Sequence, residues 1–406
     1  MLCGLLMELD DHNCWTIAEA TGHRGPHRLQ HLLSRAVWDE QRVADIASAW
    51  AAGHLDDGDG VLIVDETADE KSSGDAVGAA RQYSGTAGGV ALCQVAVTLT
   101  FASCHGHALI GRALYLPEGC TADEEHRELA GVPEQVMFAT KPQLAGALLD
   151  RAHRLGIGAA FVAGDEVYGG RELRRGIRQR GMGYVLAVRA NHALTVGSGR
   201  TVTAAAAAAG MIPVRAWHRM RTGSGTKGTR HYDWAMLEVT SDDTPNEHGD
   251  GHSVLLARRH RYTGTLSFYR CWTSEPVPLS RLIAIAVARW RIEEDHQLAK
   301  QSTGLDAGQV IRWKSWHRWT AICLLAYIYL AVAVAVQRQH EAGSDLAAGL
   351  IPITVPELLR LLRDTVIPPP RRDRDHRLRW SACRRRHQHR ARQAHQRWNA
   401  YAETTP

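Results

Sequence analysis

Lysine is scarce in this chain: five of its 48 basic residues are Lys, so each lysine stands out against an arginine background. Cysteine is present without a pattern. Cys3, Cys14, Cys93, Cys104, Cys120, Cys271, Cys323 and Cys383 contain no C-x-x-C pair, which excludes a zinc ribbon and a disulfide framework and predicts reduced thiols. The histidine clusters Cys104-His105-Gly106-His107 and His387-Gln388-His389 lack a second ligand pair at a fitting distance, so a zinc site is not expected there. No basic segment precedes Met1–Met7, which runs at once into Glu8, Asp10 and Asp11, so it reads as a poor secretory signal. The apolar segment 321–336 has 16 residues, short of the ~20 needed to cross a bilayer, and predicts a buried helix. Together these absences predict a cytoplasmic protein with no membrane span.

What is present is size, apolar content and one concentrated charge. The 406 residues, 45% hydrophobic, suffice for two or three domains with sizeable cores. Net charge is only +5, but residues 371–398 hold 11 Arg against two Asp, which makes that segment +9 and the remainder −4. A basic run of this density fits phosphate binding, with Arg384, Arg385 and Arg386 at its centre; a solvated tail is the bland alternative.

Residues 8–56 predict three short helices, and Thr21-Gly22 between the first two allows either a helix-turn-helix or a plain packing module. Asp56-Asp-Gly-Asp-Gly60 marks a boundary. Strands are expected over 61–65, 90–102 and 107–116. A helix follows over 141–155, with Thr140 as N-cap and Pro142 in its first turn, then a strand ending at Asp165, a basic helix over 171–180 and a strand over 184–189. This order predicts an α/β fold. Strand-like runs at 232–239, 253–257 and 266–272 make residues 190–275 a β-rich insertion. Its Gly223–Arg230 segment reads as a hairpin loop or a phosphate wrap, without the ending of a nucleotide-binding loop.

Three acids stand in settings that suggest chemistry. Val61–Val64 and Ala159–Ala163 are apolar runs that end at Asp65 and, after Gly164, at Asp165, so two buried strands deliver carboxylates to one end of a sheet. Glu293 lies in a segment from Ile283 to Lys300 without Gly or Pro, which predicts one helix. Arg289, Glu293 and Lys300 are spaced by four and seven residues and share a face, while Glu294 turns about 100° away. Three hard oxygen ligands can hold divalent metal for phosphodiester chemistry. Glu66 and Glu166, beside the aspartates, are expected on the opposite strand faces as secondary candidates.

With these residues in view, the chain resembles the bacterial insertion-sequence DDE transposases. Arg289, three residues, Glu293, six residues, Lys300 matches the R-E-K part of their Y-R-E-K signature. Val64-Asp-Glu-Thr67, Arg81-Gln-Tyr-Ser-Gly-Thr-Ala-Gly88, Gly164-Asp-Glu-Val-Tyr-Gly169 and Gly304-Leu-Asp306 look like that family's blocks, and the resemblance runs from about Trp15 to the basic tail. The signature's Tyr falls on Ala286. Ala68-Asp69-Glu70-Lys71, expected as a DNA-facing loop, is more acidic than in similar proteins.

The resemblance implies an RNase H-like mixed sheet with flanking helices, a β-rich insertion before the glutamate helix and an N-terminal helical region. It divides the chain into 1–58 (helical, a candidate DNA-binding region that starts late in the family pattern), 59–189 (core), 190–275 (insertion), 276–345 (core, with the glutamate helix) and 346–406 (basic tail). Catalysis and metal binding fall to Asp65, Asp165 and Glu293, with two Mg²⁺ ions for which Mn²⁺ can substitute. DNA contacts fall to Arg289, Trp290, Lys300 and Arg384–Arg386. The partners implied are the element's terminal inverted repeats, target DNA and a second copy in a homodimer. A same-fold nuclease that cuts without joining, and a remnant that only binds DNA, stay open as alternatives.

Overall fold

The computed structural model describes residues 1–85, 88–197, 199–225, 228–242, 251–342 and 349–404. Four helices lead: α1 Leu2–Leu6, α2 Cys14–Ala20, α3 His27–Ser34 and α4 Glu40–Leu55. The strands β1 Val61–Glu70, β2 Ala80–Ser84, β3 Gly89–Ala102 and β4 His107–Tyr115 follow. Then come α5 Glu118–Ala122, α6 Glu124–Ala130, α7 Lys141–Arg154, β5 Phe161–Gly164, α8 Arg171–Gln179 and β6 Gly183–Val188. The expected insertion holds β7 Ala193–Val196, β8 Arg200–Thr203, α9 Ala204–Met211, β9 His218–Gly225, β10 Gly228–Glu238, β11 His252–Arg259 and β12 Leu266–Thr273. The chain ends with α10 Leu279–Ala288, α11 Trp290–Thr303, α12 Trp313–Ala342, α13 Val355–Thr365 and α14 Arg374–Thr404.

Neighbouring strands run β4-β3-β1-β5-β6, with β1 antiparallel to β3 and parallel to β5, and β5 parallel to β6. This is the RNase H-like arrangement. Val61–Val64 are all at most 5% exposed, as a central strand covered on both faces requires. Space as well as polarity shapes the strand ends: a Cβ on Gly164 would meet Val64 Cγ2 at 2.9 Å and Leu186 Cδ2 at 3.1 Å. Only glycine lets β5 reach its end between β1 and β6. Helix α7 starts with the Thr140–Gln143 capping box and Pro142 in its first turn.

The structure departs from or adds to the sequence reading in five places. The long strands of the β-rich insertion join the core sheet, which the sequence reading left open: β12 pairs antiparallel with β6, and β11, β10 and β9 extend the same ten-stranded sheet, so the free edge of β6 is satisfied by backbone pairing. Within that segment β7, β8 and α9 stand apart from the long sheet, and their apolar side chains form a second core with Val188, Leu255 and Phe268. Ala68–Glu70 are no loop; they continue β1 in full register with β3, Ala68 opposite Val95 and Glu70 opposite Cys93. The expected single glutamate helix is two, α10 and α11, separated at Arg289, whose side chain reaches back to β1. The buried apolar helix is longer than the apolar run: α12 has 30 residues, long and apolar enough to cross a membrane, yet most of it is buried against α4, β4 and α11.

The basic tail, finally, is mostly helix. α14 is fastened to the N-terminal region through Trp380 Nε1 to the His23 carbonyl (2.9 Å) and the edge-on pair of Trp15 and Trp380 (6.0 Å between centroids). Its His376 ring lies 2.8 Å from the Glu19 carbonyl oxygen. The boundary near residue 345, the tip of the Gly223–Arg230 segment at 226–227, and 86–87 of the Arg81–Gly88 block lie outside the described residues.

Candidate active site at the ends of the central strands

Parallel pairing of Val64 with Gly164 sets the next residues, Asp65 and Asp165, side by side where β5 ends and β1 runs on without its parallel partner. That end of a parallel pair is where open α/β sheets place their ligands. Ligand oxygens of Asp65, Asp165 and Glu66 all lie within 4.8 Å of one another. Asp65 Oδ1 accepts from the Glu66 N–H at 2.8 Å, and Asp165 Oδ1 accepts from the Val167 N–H at 2.8 Å, so both carboxylates are held by their own turns.

Glu66 was expected to face away. Its register agrees, opposite Val97 while Asp65 lies opposite Thr98, yet beyond the end of β5 one of its oxygens still comes within 4.8 Å of both aspartates. Lys141 Nζ (2.7 Å) and the Tyr168 hydroxyl (2.6 Å) fix its two oxygens there. Glu166 instead points outward to Arg189, an exposed pair at 3.3 Å.

Glu293 joins through an arginine. Arg289 donates from Nη1 to Asp65 Oδ2 (3.2 Å) and from Nη2 to Glu293 Oε1 (2.8 Å), so one guanidinium spans the strand acid and the helix acid. Glu293 itself lies outside the tight group of three. Glu294 turns to His107 (3.4 Å) and Arg291 (2.8 Å). Lys300 is folded onto β1, paired with Asp69 at 2.7 Å and donating to the Ala68 carbonyl at 3.1 Å. Trp290 is 55% exposed at the start of α11, whereas Ala286, at the signature's tyrosine position, is buried in α10.

Helix α11 is docked by polar groups that the sequence reading did not single out. Asp295, fully buried, accepts from Thr100 Oγ1 (2.6 Å), lies 2.7 Å from His107 Nδ1, and is bonded by the Tyr327 hydroxyl. The His296 ring meets Thr98 Oγ1 at 2.8 Å, and Thr98 is the β3 partner of Asp65. The acids and their helix are thus tied to the same stretch of β3. Sequence signals for the missed groups existed: Tyr168 lies in the Gly164–Gly169 block, and Lys141 is one of only five lysines.

Electrostatically the cluster is short of positive charge. Burial, then the charge of Asp165, pushes the Asp65 carboxyl up to about 7 against the pull of Arg289. Burial also raises Asp165. Carboxylates this close resist ionising together, and a hard divalent cation relieves that conflict with the oxygen donors it prefers. The donor set therefore fits such an ion.

Positive charge appears elsewhere on the surface. Beside the β9–β10 ribbon, Arg258 lies over Tyr232 (4.9 Å), Arg259 over Trp217 (4.4 Å) and Arg261 over Tyr262 (5.6 Å). On α14, Arg384 bonds Glu19, while Arg385 and Arg386 are exposed.

Comparison with known proteins agrees with this geometry. Residues 139–329 match the transposase DDE domain. A probable transposase for insertion sequence element IS701 from Microchaete diplosiphon is 26% identical over 192 residues, 47% of each chain, so the matched region spans about half the length of that relative. Residues 1–221, more than half of the chain, match the DDE superfamily endonuclease family. With two aspartates side by side on neighbouring parallel strands of an RNase H-like sheet, the chain belongs to the DDE superfamily of endonucleases.

Proposed function

We propose that this protein is the transposase of an insertion sequence, acting in the cytoplasm as a homodimer on the terminal inverted repeats of its element and on target DNA. The observation that carries the reading is the convergence of Asp65 and Asp165 where the parallel pairing of β1 and β5 ends, with Glu293 brought to Asp65 by Arg289. The superfamily implies divalent metal. Asp65, Asp165 and Glu293 would hold two Mg²⁺ ions, or Mn²⁺ in their place, and Glu66 is near enough to serve as a further ligand. When bound, such ions lower the pKa of an attacking oxygen and stabilise the leaving one.

The remaining work falls to the chain's own groups. Lys141 and Tyr168 orient Glu66, and the network around Asp295 holds α11 so that Glu293 faces the strand ends. Arg289 keeps Asp65 and Glu293 together, and once those oxygens are otherwise engaged its guanidinium is free to meet a DNA phosphate. Trp290 and the arginines of α14 extend the contact to DNA, and Lys300, at the edge of β1, stabilises the strand that carries Asp65.

End-labelled element DNA incubated with the protein and Mg²⁺ tests the proposal. Cleavage followed by joining of the freed 3′ end to target DNA is the expected result. Cleavage without joining would replace it with a nuclease, and retarded but intact DNA with a binding protein.

A further inference from the structure

A cleft of about 290 Å³ opens where β4, α7 and the start of α12 meet. Leu114, Leu148 and Trp313 give it an apolar wall. Its charged lining is of one sign: Arg112, Arg151 and Arg154 contribute, and no Asp or Glu does.

Arg112 is the unusual member. It is only 7% exposed, yet Nε donates to Thr320 Oγ1 (2.6 Å) and Nη2 to the His317 carbonyl (2.7 Å), both neutral acceptors. Among the described residues Nη1 has no hydrogen-bond partner and the side chain has no ion pair. The nearby acids are already committed: Asp45 takes Arg151 through bonds of 2.5 and 2.8 Å, and Glu40 takes Arg318 at 3.3 Å. Arg154, exposed at the mouth, makes no ion pair among the described residues. His317 Nε2 is buried without a partner, and burial, then Arg112 and Arg151, hold that ring's pKa down at about 3, so it is neutral.

A tether from β4 to α12 accounts for two donors of Arg112. It leaves the charge with no contacting anion among the described residues, Glu40 and Asp45 acting on it only at a distance, and a buried guanidinium without an ion pair is costly. It also leaves the apolar wall and the idle His317 nitrogen unexplained. We propose that the cleft binds a small amphipathic carboxylate, its anionic end on Arg112 and Arg154 and its apolar body against Leu114, Leu148 and Trp313. The volume lies just below the usual range of ligand sites, about 300–1,000 Å³, which suits a small ligand, and a DNA phosphate has no apolar body to cover that wall. The site is separate from the acid cluster, although α7 lines the cleft through Leu148 and reaches Glu66 through Lys141.

Calorimetric titration of the full chain with 4-phenylbutyrate tests this, with 4-phenylbutanamide and inorganic phosphate as the other arms. The carboxylate is expected to bind saturably at one site per chain, and the amide and phosphate at least tenfold more weakly. Arg154→Ala, a surface change, should weaken carboxylate binding at least fivefold, and Ala147→Trp, which fills the cleft from its exposed rim, should abolish it; circular dichroism establishes that both fold. No saturable binding, amide or phosphate binding as tight as the carboxylate, or unchanged affinity in both folded variants would overturn the proposal.

Discussion

A single guanidinium, Arg289, holds two of the acids, and this decides how substitutions around it behave. Asp65→Asn, Asp165→Asn and Glu293→Gln each keep side-chain shape and remove a charge; each should lower Mg²⁺-dependent DNA cleavage by more than about 100-fold, beyond the 10–100-fold typical of partners outside a metal's ligand shell. Glu294→Gln, whose carboxylate turns to His107 and Arg291, should stay within about tenfold of the parent. Equal losses in both glutamate variants, measured on folded protein, would reject Glu293 as the helix acid. Lys300 yields a different prediction from the one its signature position suggests. Its ammonium and Asp69 are mostly buried, 16% and 12% exposed, so Lys300→Ala should cost about 3–5 kcal/mol of folding stability by leaving a carboxylate unpaired. Adding Asp69→Asn should recover part of that loss. A denaturation midpoint unchanged in Lys300→Ala would show that the pair contributes nothing and return Lys300 to a purely DNA-facing role.

At the scale of elements, α14 does two jobs along its length. Its first half is a packing helix: Trp380 is 1% exposed against α2, and Trp380→Ala should cost about 3–5 kcal/mol, read by chemical denaturation. Its second half is exposed and carries Arg390, Arg392 and Arg397. Truncation after His387 should therefore leave stability intact. It should flatten the log–log salt dependence of DNA binding by up to about 2.7, since each lost phosphate contact removes about 0.9. An unchanged slope would make the outer half solvated surface. Composition alone makes both halves look alike, because arginine density does not record which turn meets α2.

For the whole molecule, the polar network under α11 makes stability depend on pH. Burial opposes a charge on His107, but the charge and hydrogen bond of Asp295 outweigh it and raise its pKa from 6.5 to about 9. A histidine raised on folding contributes stability that is complete below its unfolded pKa, near 6.5, and is lost as pH rises through about 9. Folding stability should therefore fall between pH 6.5 and pH 9 by on the order of 3 kcal/mol, read as a falling melting temperature. His107→Asn should remove most of that slope. If the variant's stability declined with pH as steeply as the parent's, the His107–Asp295 contact would not be the source. The same network joins α11, α12, β3 and β4, so its loss is felt by the whole fold rather than by one helix.

The sequence by itself determined the local facts. Apolar runs that stop at Asp65 and Asp165 mark where the fully buried stretch of two strands ends, Thr140 with Pro142 marks a helix start, and the spacing of Arg289, Glu293 and Glu294 separates two helix faces. These follow from backbone periodicity and capping, which act over a few residues. Partners distant in the chain were decided only by the tertiary structure. An oxygen of Glu66 comes within reach of the aspartates where β5 ends beside β1, and Ala68–Glu70 become strand because β3 offers a full ladder. The helix divides at Arg289, whose guanidinium bonds Asp65, and Arg-rich residues 374–387 form a packing helix because α2 is there to receive Trp380. Each of these outcomes depends on which groups meet across tens or hundreds of residues, and a periodic pattern read along one segment carries no record of the segment it will touch.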